Sequence, residues 1–194
     1  MYSLLIDTHD KDVLLVLYKD GKVQDKICKE SNMRHSEITM PSLIELLEKN
    51  SVNIRDIDEI FVIVGPGSFT GVRIGVVIAK TISYLVQVPI KCMLSTDLLY
   101  YSNDLNSGIY GISENNGFFV AEYNGVSLKC LNVKYYSTKD YNEKYNNKEV
   151  LLDVELNLEN IYKYASNLEN TDSHLVNPVY VKQIEALKWL FPLI

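Results

Sequence analysis

Basic charge is in short supply in this chain: 19 Lys and Arg stand against 25 Asp and Glu, giving a net charge of −6 and a pI of about 5.1. A protein that binds nucleic acid unaided needs a basic footprint to neutralise phosphates, so this balance leaves any RNA contact to a partner. Cysteine is scarce too. Cys28, Cys92 and Cys130 are widely separated, odd in number and form no Cys-x-x-Cys, which points to buried structural thiols in a reducing compartment. No apolar run approaches bilayer-spanning length, and Leu4-Leu5-Ile6 is cut off by Asp7 before a signal-peptide core forms. The expected location is the cytoplasm, with no membrane contact. His9, His35 and His174 lack metal-ligand spacing, so each is expected to face solvent or cap a turn, and no metal site is predicted.

What is present is a globular composition. With 194 residues, 47% hydrophobic and 23% charged, the chain suffices for one full core or two small subdomains sharing an interface. Ser3–Thr8, Val13–Tyr18 and Lys22–Ile27 read as three strands, the last two joined by the turn Asp20-Gly21, so the chain opens on an antiparallel meander. Met33–Asn50 has helical spacing, with Pro41 either kinking the helix or starting its well-formed part. A strand over Ile60–Val64, a helix over Val72–Val86, a strand over Val88–Met93 and a short helix capped by Ser95-Thr96-Asp97 follow, and the pattern is a mixed α/β sheet. Composition shifts near 102–108, the expected domain boundary. Beyond it, Tyr110–Ser113 and Phe118–Tyr123 are strand-like, 134–148 reads as a surface loop or thin helix, and Leu151–Val154 as a strand. Leu158–Leu168 reads as a helix and Val179–Val181 as a last strand, while the apolar segment from Gln183 to Ile194 is expected to dock on the first domain.

The most informative stretch is Gly65-Pro66-Gly67-Ser68-Phe69-Thr70-Gly71-Val72-Arg73-Ile74-Gly75, a glycine turn between a strand and a helix. Backbone N–H groups at such a helix start favour an anion or a tightly docked carbonyl. No Lys follows Gly71 or Gly75, so it is not a P-loop, and Thr70 stands where a dinucleotide fingerprint needs its third glycine. A phosphate site and a ligand-free tight connection both remain open. Gly71 and Gly75, four apart, let another backbone approach this helix, within the chain or across an interface. Arg73 would meet either an anion at the turn or a surface salt-bridge partner. Asp7 could lie over a metal–phosphate group or cap the turn after its strand.

The stretch from Gly65 to Gly75 closely resembles the signature of the TsaB (YeaZ-type) family. Ile6-Asp7-Thr8, His35-Ser36-Glu37 with Pro41 and Leu46-Leu47, Val88-Pro89-Ile90 with Ser95 and Leu98, and Pro178-Val179-Tyr180-Val181 resemble further family elements. The resemblance implies an α/β, actin-like ATPase (ASKHA, ribonuclease-H-like) fold with two subdomains, residues 1–102 and a reduced second one over 103–194. It implies a non-catalytic dimerisation subunit of the complex that modifies adenosine 37 of tRNA to threonylcarbamoyladenosine. Its partners would be a TsaD-type catalytic subunit and a TsaE-type ATPase, with a homodimer when alone and tRNA contact only through the complex. The implied interface comprises His35, Ile38, Leu43, Leu47, Thr70, Gly71, Arg73, Ile74, Gly75 and Ile78. Asp7, Thr8, Gly65, Gly67 and Ser68 are the candidate nucleotide contacts, for ATP or ADP with magnesium at a subunit interface.

The residues agree with a non-catalytic role. The TsaD metal site has a His-x-x-x-His after the corresponding helix, and Met93–Leu99 contains no histidine. There are also departures: Ser113–Gly117 keeps only the glycine of an Asp-Ala-Arg-x-Gly segment, and Lys182 replaces a terminal Arg. The competing expectation is a small ATPase or kinase of the same fold using Asp7 and the turn Gly65–Gly71. A glycoprotease-like hydrolase would need a nucleophile–base pair, and none is evident in the sequence.

Overall fold

Each of the first two strands is apolar on both faces, which forces burial on both sides. β1 (Tyr2–Asp7) and β2 (Asp12–Lys19) turn Leu4, Ile6, Val13, Leu15 and Leu17 to one core and Leu5, Leu14, Val16 and Tyr18 to another. The structure, a computed structural model, describes residues 1–128, 132–152 and 154–182. Cys130, Asp153 and the segment 183–194 expected to dock back therefore lie outside the described residues.

β2 turns into β3 (Lys22–Glu30) through Asp20 and Gly21, both at positive φ as a tight hairpin demands. Helix α1 (His35–Lys49) runs through Pro41 instead of starting there; Pro41 is exposed, where its missing donor leaves no buried carbonyl stranded. β4 (Ile57–Ile63) leads through the glycine turn into α2 (Phe69–Val86), which begins three residues before the expected start because Ser68 caps it, its Oγ accepting from Gly71 N–H at 3.2 Å. β5 (Ile90–Met93) completes a sheet of order β3-β2-β1-β4-β5, antiparallel through β3-β2-β1 and parallel through β1-β4-β5. That meander followed by parallel strands is the mixed α/β sheet expected of a ribonuclease-H-like fold.

α1 and α2 cover one face of the sheet with Leu43, Leu46, Leu47, Val72, Val76, Ala79 and Ile82. Among the described residues α2 alone is long and apolar enough to cross a membrane by composition, and here that apolarity is spent on the sheet and on an outer face described below. The other face is covered by α3 (Ser95–Ser102), α5 (Leu158–Ala165) and a second sheet. That sheet is β6-β7-β8, antiparallel throughout: β6 (Gly108–Glu114), β7 (Gly117–Tyr123) and β8 (Val133–Ser137), followed by α4 (Thr138–Tyr145).

The joint between the sheets is aromatic. Tyr100 stacks on Tyr123 with centroids 4.0 Å apart, Tyr110 packs edge-on to both, and Tyr18 meets Phe61 and Tyr162. Three expected elements differ: in place of the strand expected over Leu151–Val154, Leu151 makes an isolated parallel bridge with Tyr110, and its neighbours among the described residues form no strand. Residues 134–148 form β8 and α4, held by Phe118 stacked on Tyr141 at 3.9 Å, a contact no local pattern announces. Val179–Val181 forms no ladder; Val179 N–H donates to the Val64 carbonyl at 2.7 Å, pinning the segment beside the glycine turn.

Candidate functional site

The glycine turn meets the end of β1. A Cβ at Gly67 would overlap the carbonyl of His9, one at Gly71 the carbonyl of Thr8, and one at Gly75 the Thr8 hydroxyl. Ser68 N–H donates to the His9 carbonyl at 2.6 Å, and Thr8 Oγ1 donates to the Gly71 carbonyl at 2.7 Å. Of the two guests that the turn's N–H groups favour, an anion or a docked carbonyl, the structure seats a carbonyl at Ser68. On the far side, Ser95 N–H donates to the Gly65 carbonyl (2.9 Å) and Ser95 Oγ to that of Pro66 (2.6 Å), fastening the turn to α3.

This placement corrects the reading of Gly71 and Gly75 as a seam for a partner. Both are buried against β1 of their own chain, because only the absence of a Cβ lets the end of β1 approach α2 so closely. Leu43 and Leu47 are likewise core residues, and His35 is buried. Of the residues assigned to the interface, Thr70 and Arg73 are exposed, while Ile38, Ile74 and Ile78 are half-buried.

Two of the histidines expected to face solvent or cap a turn are enclosed. His9 Nδ1 lies 2.7 Å from Asp7 Oδ1, which also accepts the His9 N–H at 3.0 Å. Burial works against the imidazolium, but the charge and hydrogen bond of Asp7, with Asp10 nearby, outweigh it and hold the His9 pKa above its ordinary value. His35 Nε2 lies 2.7 Å from the Asp10 carbonyl, tying α1 to the β1–β2 turn. Asp7 thus caps the turn after its strand, as one of its two expected roles requires, and is also the counter-ion of the histidine two residues on. His174 is exposed as expected. Cys28 is exposed and Cys92 half-buried, so neither is the fully buried thiol foreseen.

Arg73 takes neither of its expected partners. Its guanidinium carbon stands 3.7 Å from the centroid of Phe69, and its Nε–H donates to Tyr180 Oη at 2.5 Å. A cleft opens between the glycine turn and the β6–β7 turn. One lobe of about 370 Å³ is lined by His9, His35, Ser68 and Glu114; another of about 350 Å³ lies beside Phe69, Phe119 and Tyr180. Among the described residues no group of three or more His, Cys, Asp or Glu side chains is placed to hold a metal ion.

Outside the cleft, α1 and α2 each leave an apolar stripe uncovered. Met40 and Ile44 are 41% and 49% exposed on α1, and Val77, Tyr84 and Leu85 are 61%, 56% and 71% exposed on α2. These large apolar side chains recur at helical spacing on two helices that are in contact with each other.

A family model described as TsaD, tRNA N6-adenosine threonylcarbamoyltransferase, matches residues 27–111. The chain is 34% identical over 99 residues to the tRNA threonylcarbamoyladenosine biosynthesis protein TsaB of Bacillus subtilis, a match covering 51% of this chain and 43% of that protein. It thus spans less than half the length of that relative. It is 28% identical over 194 residues to the uncharacterized protein MG208 of Mycoplasma genitalium, covering 93% of this chain and 95% of that one. In fold it is similar to YeaZ from Pseudomonas aeruginosa, with a TM-score of 0.73 at 18% identity over 92% of this chain and 100% of that chain. In sequence along its first half and in fold along nearly its whole length, the chain is similar to TsaB and YeaZ proteins.

Proposed function

We propose that the chain is a non-catalytic scaffold subunit in the biosynthesis of threonylcarbamoyladenosine in tRNA, and that it docks a TsaD-type catalytic subunit through the outer faces of α1 and α2. The observation that carries this reading is the set of exposed apolar side chains on two contacting helices, Met40 and Ile44 on α1 and Val77, Tyr84 and Leu85 on α2. A surface of that kind is stabilised by removal from water at about 25 cal/mol per Å² of apolar area. The net charge of −6 fits a subunit that leaves tRNA to its partner. The same faces would serve self-association when the partner is missing, and a TsaE-type ATPase would join only the assembled pair. The division into residues 1–102 and 103–194 is part of this proposal, with the first unit supplying the docking helices.

The ATPase alternative finds less support. Asp7 is engaged by His9, and the Ser68 N–H by a carbonyl of the same chain. Co-expression with TsaD from the same genome tests the proposal. Ile44→Glu and Val77→Glu should each abolish co-purification while leaving thermal unfolding of the chain alone unchanged, since both side chains are already in water. Retention of the complex by both variants would refute docking through these faces.

A further inference from the structure

The second sheet packs Tyr110 and Tyr123 into the core, and its opposite face carries a hollow of about 300 Å³, apart from the glycine-turn cleft and from the faces of α1 and α2. Alternation along paired strands builds one wall. Val120 and Glu122 of β7 and Lys134 and Tyr136 of β8 share that face, because Val120 lies opposite Lys134 in the ladder and side chains two apart point the same way. α4 closes the other side with Lys144 and Tyr145. Val120 and Tyr145 are buried and give the hollow an apolar floor, and the Tyr136 ring stands at 87° to that of Tyr145 with centroids 5.4 Å apart.

Positive charge collects there without acids to match it. Lys144 Nζ donates to Tyr136 Oη at 2.5 Å and stands over both rings, 4.5 and 5.2 Å from their centroids, while Lys148 Nζ lies 5.7 Å from the centroid of Tyr145. Among the described residues Lys134, Lys144 and Lys148 make no salt bridge, and Glu122 on the same wall makes none with them. The phenol registers the field: burial pushes the Tyr136 pKa up, yet hydrogen bonds with Lys144 and Tyr145 and the charges of Lys144 and Lys134 outweigh it and hold the pKa below the ordinary tyrosine value. In a chain of net charge −6 this local excess of cations stands out, and a recess lined by one sign of charge draws a counter-ion of the other.

The donors decide which anion fits. Lysines are point charges and lack the planar fork with which arginine grips a carboxylate. Here the ammonium groups come from a strand and a helix on two sides of the hollow, and Tyr136, whose oxygen accepts from Lys144, has its own O–H to give. Donors set on different sides match the several oxygens of a tetrahedral group. We propose that this hollow binds a phosphate group, with Lys134 and Lys144 meeting its charge, Tyr136 donating to a further oxygen and Lys148 adding charge at the rim. The inference rests on the second sheet and α4 and is independent of the docking faces on α1 and α2.

Such a phosphate belongs either to a free small molecule or to an RNA backbone. Titration of the full ¹⁵N-labelled chain with inorganic phosphate, ribose 5-phosphate and a single-stranded oligouridylate separates the two. Saturable shifts of the Lys134, Tyr136 and Lys144 amide resonances are expected. Tighter binding of the oligouridylate than of ribose 5-phosphate, weakening as salt is added, marks an RNA backbone; equal or tighter binding of ribose 5-phosphate marks a free phosphate monoester. Lys134→Gln and Lys144→Gln should each weaken binding about three- to fivefold. Tyr136→Phe, which keeps the ring in place, should weaken it as well, whereas Lys139→Gln, which removes a lysine of α4 that pairs with Glu143, should not. No saturable shift at these residues with any of the three ligands, or an equal loss in Lys139→Gln and Lys144→Gln, would overturn the proposal.

Discussion

Asp97 is a carboxylic acid sealed between the two sheets, and it should make the protein less stable as the solution becomes less acidic. It is 5% exposed, its Oδ1 accepts from Tyr123 Oη at 2.6 Å and its Oδ2 from Leu94 N–H at 2.7 Å. Burial raises its pKa from 3.8 to about 6, and those two hydrogen bonds, which favour the anion, only partly oppose the rise. The folded state thus holds the proton more tightly than the unfolded chain. The stability tied to that proton is fully present below pH 3.8 and is lost as pH rises through about 6. A gap of roughly two pKa units corresponds to about 3 kcal/mol, of which about 2 kcal/mol falls between about pH 4.5 and 7.5. Urea denaturation of wild type and Asp97→Asn across that window reads the difference directly, because Asn keeps an acceptor for Tyr123 and cannot titrate. The wild type should lose about 2 kcal/mol relative to the variant as pH rises. Parallel pH profiles for the two proteins would refute the reasoning. Tyr123→Phe, which removes a donor to the anion, should move the Asp97 midpoint still higher.

Two further outcomes follow from buried contacts. Lys91 Nζ lies 2.9 Å from Glu59 Oε2 and 2.6 Å from the Ser166 carbonyl, and Ser3 Oγ donates to Glu59 Oε1 at 2.8 Å, so the pair ties β1, β4, β5 and the end of α5 together. Lys91→Ala should cost about 3–5 kcal/mol by stranding Glu59, whereas the double change Lys91→Met with Glu59→Leu should recover most of it in thermal unfolding; equal destabilisation by the two would contradict this. Gly71→Ala should destabilise by about 1–3 kcal/mol or more, because its Cβ meets rigid backbone at Thr8, while Gly108→Ala, whose Cβ comes no closer than 3.4 Å to any side-chain atom, should be milder. Matching melting temperatures for the two alanine variants would show that the close approach of β1 to α2 is not tight.

Much of the fold is legible in the sequence because its signals are local. The hairpin at Asp20-Gly21 follows from two residues that tolerate positive φ, and the strand, turn and helix around Gly65–Gly75 from an apolar run broken by glycine. Where the local signal is poor, the reading fails: the Tyr- and Lys-rich stretch after Asn132 has no clean period, and it becomes β8 and α4 only through rings such as Phe118 on Tyr141. Val179–Val181 has strand-like residues but pairs with no strand among the described residues, and the bonds from Val179 N–H to the Val64 carbonyl and from Arg73 to Tyr180 fix it instead.

The glycine turn marks the division most clearly. From the sequence alone come the turn itself, the helix it starts, the need for close approach at Gly71 and Gly75, and the family they resemble. Which backbone makes that approach depends on residues more than 50 positions away, and the tertiary structure assigns it to Thr8 and His9, just past the end of β1. The tertiary structure likewise brings Tyr180 to Arg73 and Tyr123 to Asp97. Periodicity and turn chemistry act between near neighbours and are written in order along the chain. Burial, charge pairing and stacking act between surfaces, and they are settled only when folding brings those surfaces together.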